Sequence, residues 1–385
     1  MGRRVAIIGF GQTHHSARRW DVNGLELIQE AVVRALDDAE MTLEEIDAVV
    51  IGNMDHFEGI NYVDTWSVEG AGAFMKPIFK VTTGGTTGTT VAIAAYYHVA
   101  SGLFNNVMAI GWEKNSESDT TGAIITCSDP VWDRFSYSGA IPSLAVEASA
   151  YMREYGVTEE DGARVTVRDR GNAMNNPYAH LREAVTIEDV MYSQMLTEPI
   201  KLLDICPRSD GAAAVIFSRE DVAEKRCPKP AWIHAVSVRH DTTWFGDIDY
   251  TRLTSLEGAS KEVFRIAGIK EPVKELDVCE LYLPYSFAGL KWMESIGLCG
   301  PGEAPRFVAD GHTDMGGTLP VNPSGGVLST NCIGATGLLR VGETALQIFG
   351  RAEKRQVEGA RLAMATGFGG CFWSDALIVG AGKPQ

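Results

Sequence analysis

Glycine-rich turns that open helices are the places in this sequence best suited to house chemistry. The segment KVTTGGTTGTTVAIAAYYHVASG, residues 80–102, carries a β-branched strand end into a Gly/Thr turn and then into an apolar helix. Gly84, Gly85 and Gly88 allow close backbone approach there. The helix N-terminus leaves N–H groups free to meet an anion or a developing oxyanion. Tight strand-to-helix packing selects glycine equally well, so this turn alone does not separate the two readings. A second turn, in PVNPSGGVLSTNCIGATGLLRVGETALQI at 320–348, puts Asn331 and Cys332 where the turn meets a helix start. A helix N-terminus lowers a thiol's pKa; the other reading of a lone cysteine is a small core residue. A third segment, CELYLPYSFAGLKWMESIGLCGPGEA at 279–304, delivers Tyr282 at a strand end, with Tyr285 on the same turn and a helix from Ser286. Such a tyrosine is either a packing residue or a proton-transfer group. The fourth, MATGFGGCFWSDALIVG at 364–380, reads as a last turn built on Gly367, Gly369 and Gly370.

The elements that must hold these turns are written twice. Ala35 to Asn53, ALDDAEMTLEEIDAVVIGN, can be laid over Ala267 to Tyr285, AGIKEPVKELDVCELYLPY; both run from a helix end through an acidic linker into an apolar strand. An amphipathic helix precedes each, near 25–39 and 258–269, and a similar strand closes each half, GAAAVIFS at 211–218 and SDALIVGAG at 374–382. The pattern predicts a mixed α/β sheet built twice. Residues 1–114 with 208–225 form the first half and 226–385 the second. Between them, 115–207 reads as a long insertion, with an aromatic stretch (Trp132, Phe135, Tyr137) followed by helical segments at 145–156 and 159–176. Loops of this length serve as lids or binding elements; helical packing of a dimer is the plainer alternative.

Composition narrows the function. Of the 385 residues 45% are hydrophobic and 22% charged, ample for a buried core, and the formal net charge of −16 argues against nucleic acid. A phosphate-bearing small molecule remains open, because helix N-termini can meet it. The seven cysteines (127, 206, 227, 279, 299, 332, 371) are scattered without a CxxC and read as reduced thiols, with no metal site. MGRRVAIIGFG reads as a first strand, not a secretory signal, and no apolar run approaches the roughly 18 residues of a membrane span. A cytoplasmic location is the expectation.

IGATG at 333–337, ELY through GLCGPGE at 280–303, PRSDGAAAV at 207–215 and the GFGG before the last strand together resemble thiolases, nearest the sterol-carrier and lipid-transfer branch, over nearly the whole chain. The resemblance implies an α/β fold of two related halves in a five-layered αβαβα sandwich. It also implies a homodimer and an acyl-CoA substrate, with coenzyme A entering only as part of that substrate and no other cofactor. Followed residue by residue, it places Gly85 where thiolases carry the nucleophilic cysteine. Tyr282 falls at the Asn or His of their Asn-Glu-Ala-Phe or His-Asp-Cys-Phe motif, and Thr330-Asn331-Cys332 at Gly-His-Pro. Ala365 or Thr366 falls at the C-terminal acid/base, with Cys371 several residues beyond. No histidine follows His312. Without the nucleophile the covalent route through that position is closed.

The combination resembles the cysteine-less steroid side-chain aldolases of the same branch. These cleave β-hydroxyacyl-CoA by retro-aldol reaction and require a small zinc-ribbon/OB-fold partner. Under that resemblance Tyr282 is acid or base, Tyr285 stands in for a second tyrosine replaced here by Asn331 or Cys332, and Gly84, Gly85, Gly369 and Gly370 line the oxyanion pocket. Two alternatives stay open: an acyltransferase whose nucleophile has moved to Cys332, and a non-catalytic acyl-CoA-binding or scaffolding subunit.

Overall fold

The computed structural model of the chain describes residues 2–55, 62–242, 244–370 and 373–384; Cys371 lies outside them. Eleven strands are present among these residues. They are β1 (Val5–Gln12), β2 (Ala48–Gly52), β3 (Ile78–Lys80), β4 (Asn106–Lys114), β5 (Met195–Thr197), β6 (Ile200–Lys201), β7 (Asp210–Arg219), β8 (Ala231–His240), β9 (Val278–Glu280), β10 (Leu362–Phe368) and β11 (Trp373–Gly380). The helices of eight residues or more are α1 (Gly24–Ala39), α2 (Thr87–Ala100), α3 (Ala140–Tyr155), α4 (Glu159–Ala173), α5 (Thr254–Ala267), α6 (Ala288–Ile296) and α7 (Ile333–Phe349).

Nine strands join in the order β3-β2-β4-β7-β1-β8-β11-β10-β9, and β5 pairs with β6 in a small ribbon. The seam between the halves is short: β1 meets β8 only through Ala6–Trp232 and Ile7–Ala231. On each side of it the pattern repeats. β2 lies parallel to β3 and β4, while β9 lies parallel to β10 and bridges in parallel to Val321, which occupies the place of β3. The duplication read from the helix-linker-strand pattern is therefore a repeat of topology.

The helices sort by the faces they bury. In α1, Leu27, Ile28, Ala31, Val32, Ala35 and Leu36 form one buried stripe. Asn23 caps its first turn by accepting from the Glu26 N–H while Glu26 returns the bond. This helix lies on β1, β4 and β7, and α5, with its own stripe, lies on β8 and β11. The middle pair is different. Nearly all of α7 is buried, and α2 and α7 pack on each other and against strands of both halves, giving layers in the order α, β, α, β, α. Their crossing is close because it is made of glycine. A Cβ on Gly88 would lie 2.5 Å from the Leu338 nitrogen, and one on Gly337 would lie 2.0 Å from Thr89 Oγ1. Polar groups inside α7 are met in pairs: Arg340 with Glu280, and Glu343 with Arg355 and Gln12.

The helices α3 and α4 pack with the second half. Leu144, Ala148 and Tyr151 of α3 and Val165 of α4 share an apolar cluster with Leu281, Tyr282 and Trp292. Three boundaries differ from the sequence reading. β9 stops at Glu280, two residues short of Tyr282; the next helix starts at Ala288; and Gly367 sits inside β10 instead of in a turn. Gly367 belongs to the strand because it pairs with Asp375 of β11, a long-range partner that sequence periodicity does not show.

Candidate active site

The turn before α2 is tied by its own threonines. The Thr83 N–H donates to Thr87 Oγ1 at 2.9 Å, and the Thr87 hydroxyl donates to the Gly84 carbonyl at 2.6 Å. Gly84 takes φ +60°, a left-handed conformation that glycine adopts without strain. Gly85 has its back against the end of β10. A Cβ at this position would stand 2.4 Å from the Phe368 carbonyl oxygen and 3.4 Å from Gly369 Cα. The backbone of the last turn thus fills the space that any side chain at position 85 would need. Gly369 leans in turn on the Thr86 side chain, and its N–H is committed to the Trp373 carbonyl at 2.9 Å, so it does not serve as an oxyanion donor. Gly370 takes φ +88° in the same turn.

Tyr282, Asn331, Thr336, Thr366 and Cys206 converge beside it. The Tyr282 hydroxyl donates to Asn331 Oδ1 at 3.4 Å, and the Thr336 hydroxyl donates to the same oxygen at 2.8 Å. Asn331 Nδ2 donates to Cys206 Sγ at 3.1 Å. Thr366 Oγ1 accepts the Tyr282 N–H at 2.9 Å and fixes the backbone just beyond β9. The Asn331 backbone is held from the other side by Ser209 and Asn115. The Tyr282 ring packs at 6.3 Å from Phe368, which packs at 4.3 Å from Trp292. Burial, reinforced by the nearby Cys206, raises the Tyr282 phenol well above its usual range. The phenol is therefore neutral across the physiological range and stands as a proton donor.

The family description "Thiolase, N-terminal domain" matches residues 5–221, and "Thiolase C-terminal domain-like" matches residues 237–381. The chain belongs to the thiolase family. It is 36% identical over 383 residues to the acetyl-CoA acetyltransferase of Methanothermobacter thermautotrophicus, covering 98% of this chain and 99% of that one. Sterol carrier protein 2 of Bos taurus is 28% identical, over 95% of this chain and 70% of its own length. Among solved structures, an Ltp2-ChsH2(DUF35) aldolase superposes with a TM-score of 0.84 at 27% identity, covering 99% of this chain and 98% of that one.

Against the thiolase pattern, the geometry separates the remaining candidates. Cys332 caps α7, yet its thiol points into the core of the first half and meets His15 Nδ1 at 3.2 Å. Burial raises that thiol well above its ordinary value, and burial lowers His15 to about 3. Of the two readings of this cysteine the geometry favours the small core residue: desolvation outweighs the helix dipole here, and both partners are neutral. Treating the native protein with iodoacetamide is expected to alkylate the exposed Cys127 and spare Cys332 until the chain unfolds. Peptide mass spectrometry reads the order, and rapid alkylation of native Cys332 would contradict the geometry. Tyr285 is also buried, but its hydroxyl donates to Glu147 of α3 at 3.3 Å and its ring meets Trp292. It thus serves the buried Glu147–Lys291 pair and is not brought to Asn331.

Cys206, Thr336 and Asp375 are the residues the sequence reading passed over. A cysteine just before PRSDGAAAV and a single carboxylate inside the apolar strand SDALIVG are signals that were there to find. The insertion also reaches the site. Ala123 packs on Met54 and Ile333, and Cys127 Sγ lies 3.9 Å from where a Gly84 Cβ would be. Beyond it Trp132 and Phe135 are exposed, with Trp132 edge-on to Trp244 at 6.1 Å and Tyr137 stacked on Phe245 at 5.5 Å. Among the described residues no cluster of His, Cys, Asp or Glu is arranged to hold a metal, and no helix is long and apolar enough to cross a membrane.

Proposed function

We propose that this thiolase-like acyl-CoA enzyme cleaves the Cα–Cβ bond of a β-hydroxyacyl-CoA by a retro-aldol reaction, without an acyl-enzyme. The observation that carries the reading is Gly85: the Phe368 carbonyl stands where a side chain at the nucleophile position would begin. In the reaction the β-hydroxyl loses its proton, the Cα–Cβ bond breaks, and its electron pair enters the thioester as an enolate. N–H groups at the start of α2 hold the enolate oxygen. Tyr282, kept neutral by burial, gives its phenolic proton to Cα and takes up the proton released from the β-hydroxyl, so the phenol ends as it began; the products are an aldehyde or ketone and a shortened acyl-CoA. The likeness to the Ltp2-ChsH2(DUF35) aldolase supports this reading and a DUF35-type partner subunit for this chain as well. A homodimer accords with the exposed Phe79 on the edge strand β3 and the exposed Phe74 and Met75 leading into it.

The test is product analysis by mass spectrometry of a β-hydroxyacyl-CoA incubated with the protein and its partner subunit. Equal amounts of carbonyl product and shortened acyl-CoA, with no acylated protein and no need for free CoA, are expected. An acyl adduct on a cysteine, or cleavage that requires free CoA, would overturn it. That second outcome is the acyltransferase reading, favoured by the 36% identical acetyl-CoA acetyltransferase.

A further inference from the structure

Asp375 is a buried carboxylate near the start of β11, opposite Gly367 of β10, and one of its oxygens is left to the Trp373 side chain. Its other oxygen ends a relay of hydroxyls. The Thr86 hydroxyl donates to the Thr83 carbonyl at 2.7 Å and to Thr83 Oγ1 at 3.1 Å. Thr83 donates to Thr90 Oγ1 at 2.9 Å, and Thr90 donates to Asp375 Oδ2 at 2.7 Å. Thr83 and Thr86 bracket Gly84 and Gly85, so the carboxyl is the terminal acceptor of a chain that runs through both. Thr90 also reaches the Thr86 carbonyl at 3.2 Å, the bond it would fall back on without Asp375.

We propose that Asp375 is a positioning residue for the Gly84–Gly85 turn, acting through Thr90, Thr83 and Thr86, and that the turn works with this carboxyl protonated. The inference rests on the reading that this turn receives the thioester oxygen. A buried anion directly behind the turn repels the negative charge that develops on the enolate, whereas a neutral carboxyl still accepts from Thr90.

Burial, only partly offset by the Thr90 hydroxyl and the Trp373 side chain, lifts the Asp375 carboxyl from 3.8 to about 7. The charged groups on neighbouring elements are engaged elsewhere. On β8, Arg239 lies opposite Ser374, and His240 packs on the Trp373 ring at 4.7 Å. On α5, Glu257 pairs with Arg252 and Lys261, and Glu262 with Arg265. On α7, Arg340 and Glu343 pair with Glu280 and Arg355, and α2 contributes Tyr96, Tyr97 and His98 from its far end. Glu280 on β9 is also raised by burial, to about 7, so it titrates in the same window and the experiment must separate the two.

The sign follows from the shift. Raising the pH through about 7 ionises Asp375, and kcat falls while KM holds. Asp375→Asn keeps the acceptor without the charge. It is expected to match the wild type near pH 6 and to lack the decline above pH 7, whereas a decline caused by Glu280 would persist in it. Asp375→Ala and Thr90→Val are expected to lower kcat by about tenfold or more at every pH, through loss of orientation, with Thr90→Ser restoring it. A readout independent of turnover is the infrared carbonyl band of bound [1-13C]hexanoyl-CoA. In the wild type it should lie lower at pH 6 than at pH 8.5, and in Asp375→Asn it should not move. If the band behaves so while no β-hydroxyacyl-CoA is cleaved, the positioning role stands and the lyase reading falls. If Asp375→Asn retains the wild-type pH dependence of both band and kcat, the proposal is overturned.

Discussion

Tyr282→Phe is expected to lower kcat for β-hydroxyacyl-CoA cleavage by about 10²–10⁴-fold, the range over which positioned proton transfer contributes. At 1.36 kcal/mol per tenfold that is roughly 3–5 kcal/mol of transition-state stabilisation. The substitution removes one oxygen and leaves the ring, so packing on Phe368 and in the surrounding apolar cluster is retained. The partner is not orphaned either. Asn331 Oδ1 keeps its bond from Thr336 at 2.8 Å, so the loss of stability should stay near 1 kcal/mol. The expected result is thus a large fall in kcat with a nearly unchanged melting temperature and KM. Tyr285→Phe is the control: its hydroxyl serves Glu147, so turnover should change little. Full activity in Tyr282→Phe would remove this residue from the chemistry. A raised phenol pKa also means that the kcat profile below about pH 10, the ordinary tyrosine value, carries no limb from Tyr282.

What was legible in the sequence was whatever repeats or alternates. α1 and α5 announce themselves by apolar stripes at helical spacing, and the repeated helix-linker-strand pattern gives the two halves before any contact is known. The glycine turns were legible for the same reason, since a glycine beside another backbone leaves its mark in the residue type. Side-chain direction at a helix cap follows no period. Asn331 and Cys332 are adjacent, yet one faces Tyr282 and the other His15, and only the packing of α7 between two layers decides which. Long-range partners were equally hidden: Tyr285 looks like a neighbour of Tyr282 until Glu147, supplied from the insertion, claims its hydroxyl. The thiol of Cys332 shows the limit of local reasoning about charge. A helix N-terminus favours the thiolate by a modest amount, and complete burial disfavours it by more.

Gly85→Cys tests whether the site is a thiolase that lacks only its thiol. The expected result is a protein destabilised by about 1–3 kcal/mol, the usual cost of overpacking, that forms no acyl-enzyme with acetyl-CoA. The reason is steric before it is chemical. A Cβ 2.4 Å from the Phe368 carbonyl requires that backbone or the start of α2 to move, because a carbonyl has no rotamer to escape into. Movement of Phe368 passes to Trp292 and Tyr282, whose rings pack on it, so the change should also reduce the native cleavage reaction. The new thiol would have no imidazole from the α7 turn to activate it, since that turn offers Thr330, Asn331 and Cys332, and Asn331 is already held by Thr336 and Cys206. Thermal unfolding gives the stability change, and intact-protein mass after incubation with acetyl-CoA shows whether a 42 Da acetyl group is retained, a mass set by the added C2H2O. If Gly85→Cys is stable, acetylated and competent in thiolysis, then glycine at this position is a lost side chain in an otherwise intact acyltransferase. If it is destabilised and inert, the turn around Gly85 has been rebuilt for a reaction in which the protein never bonds to the substrate.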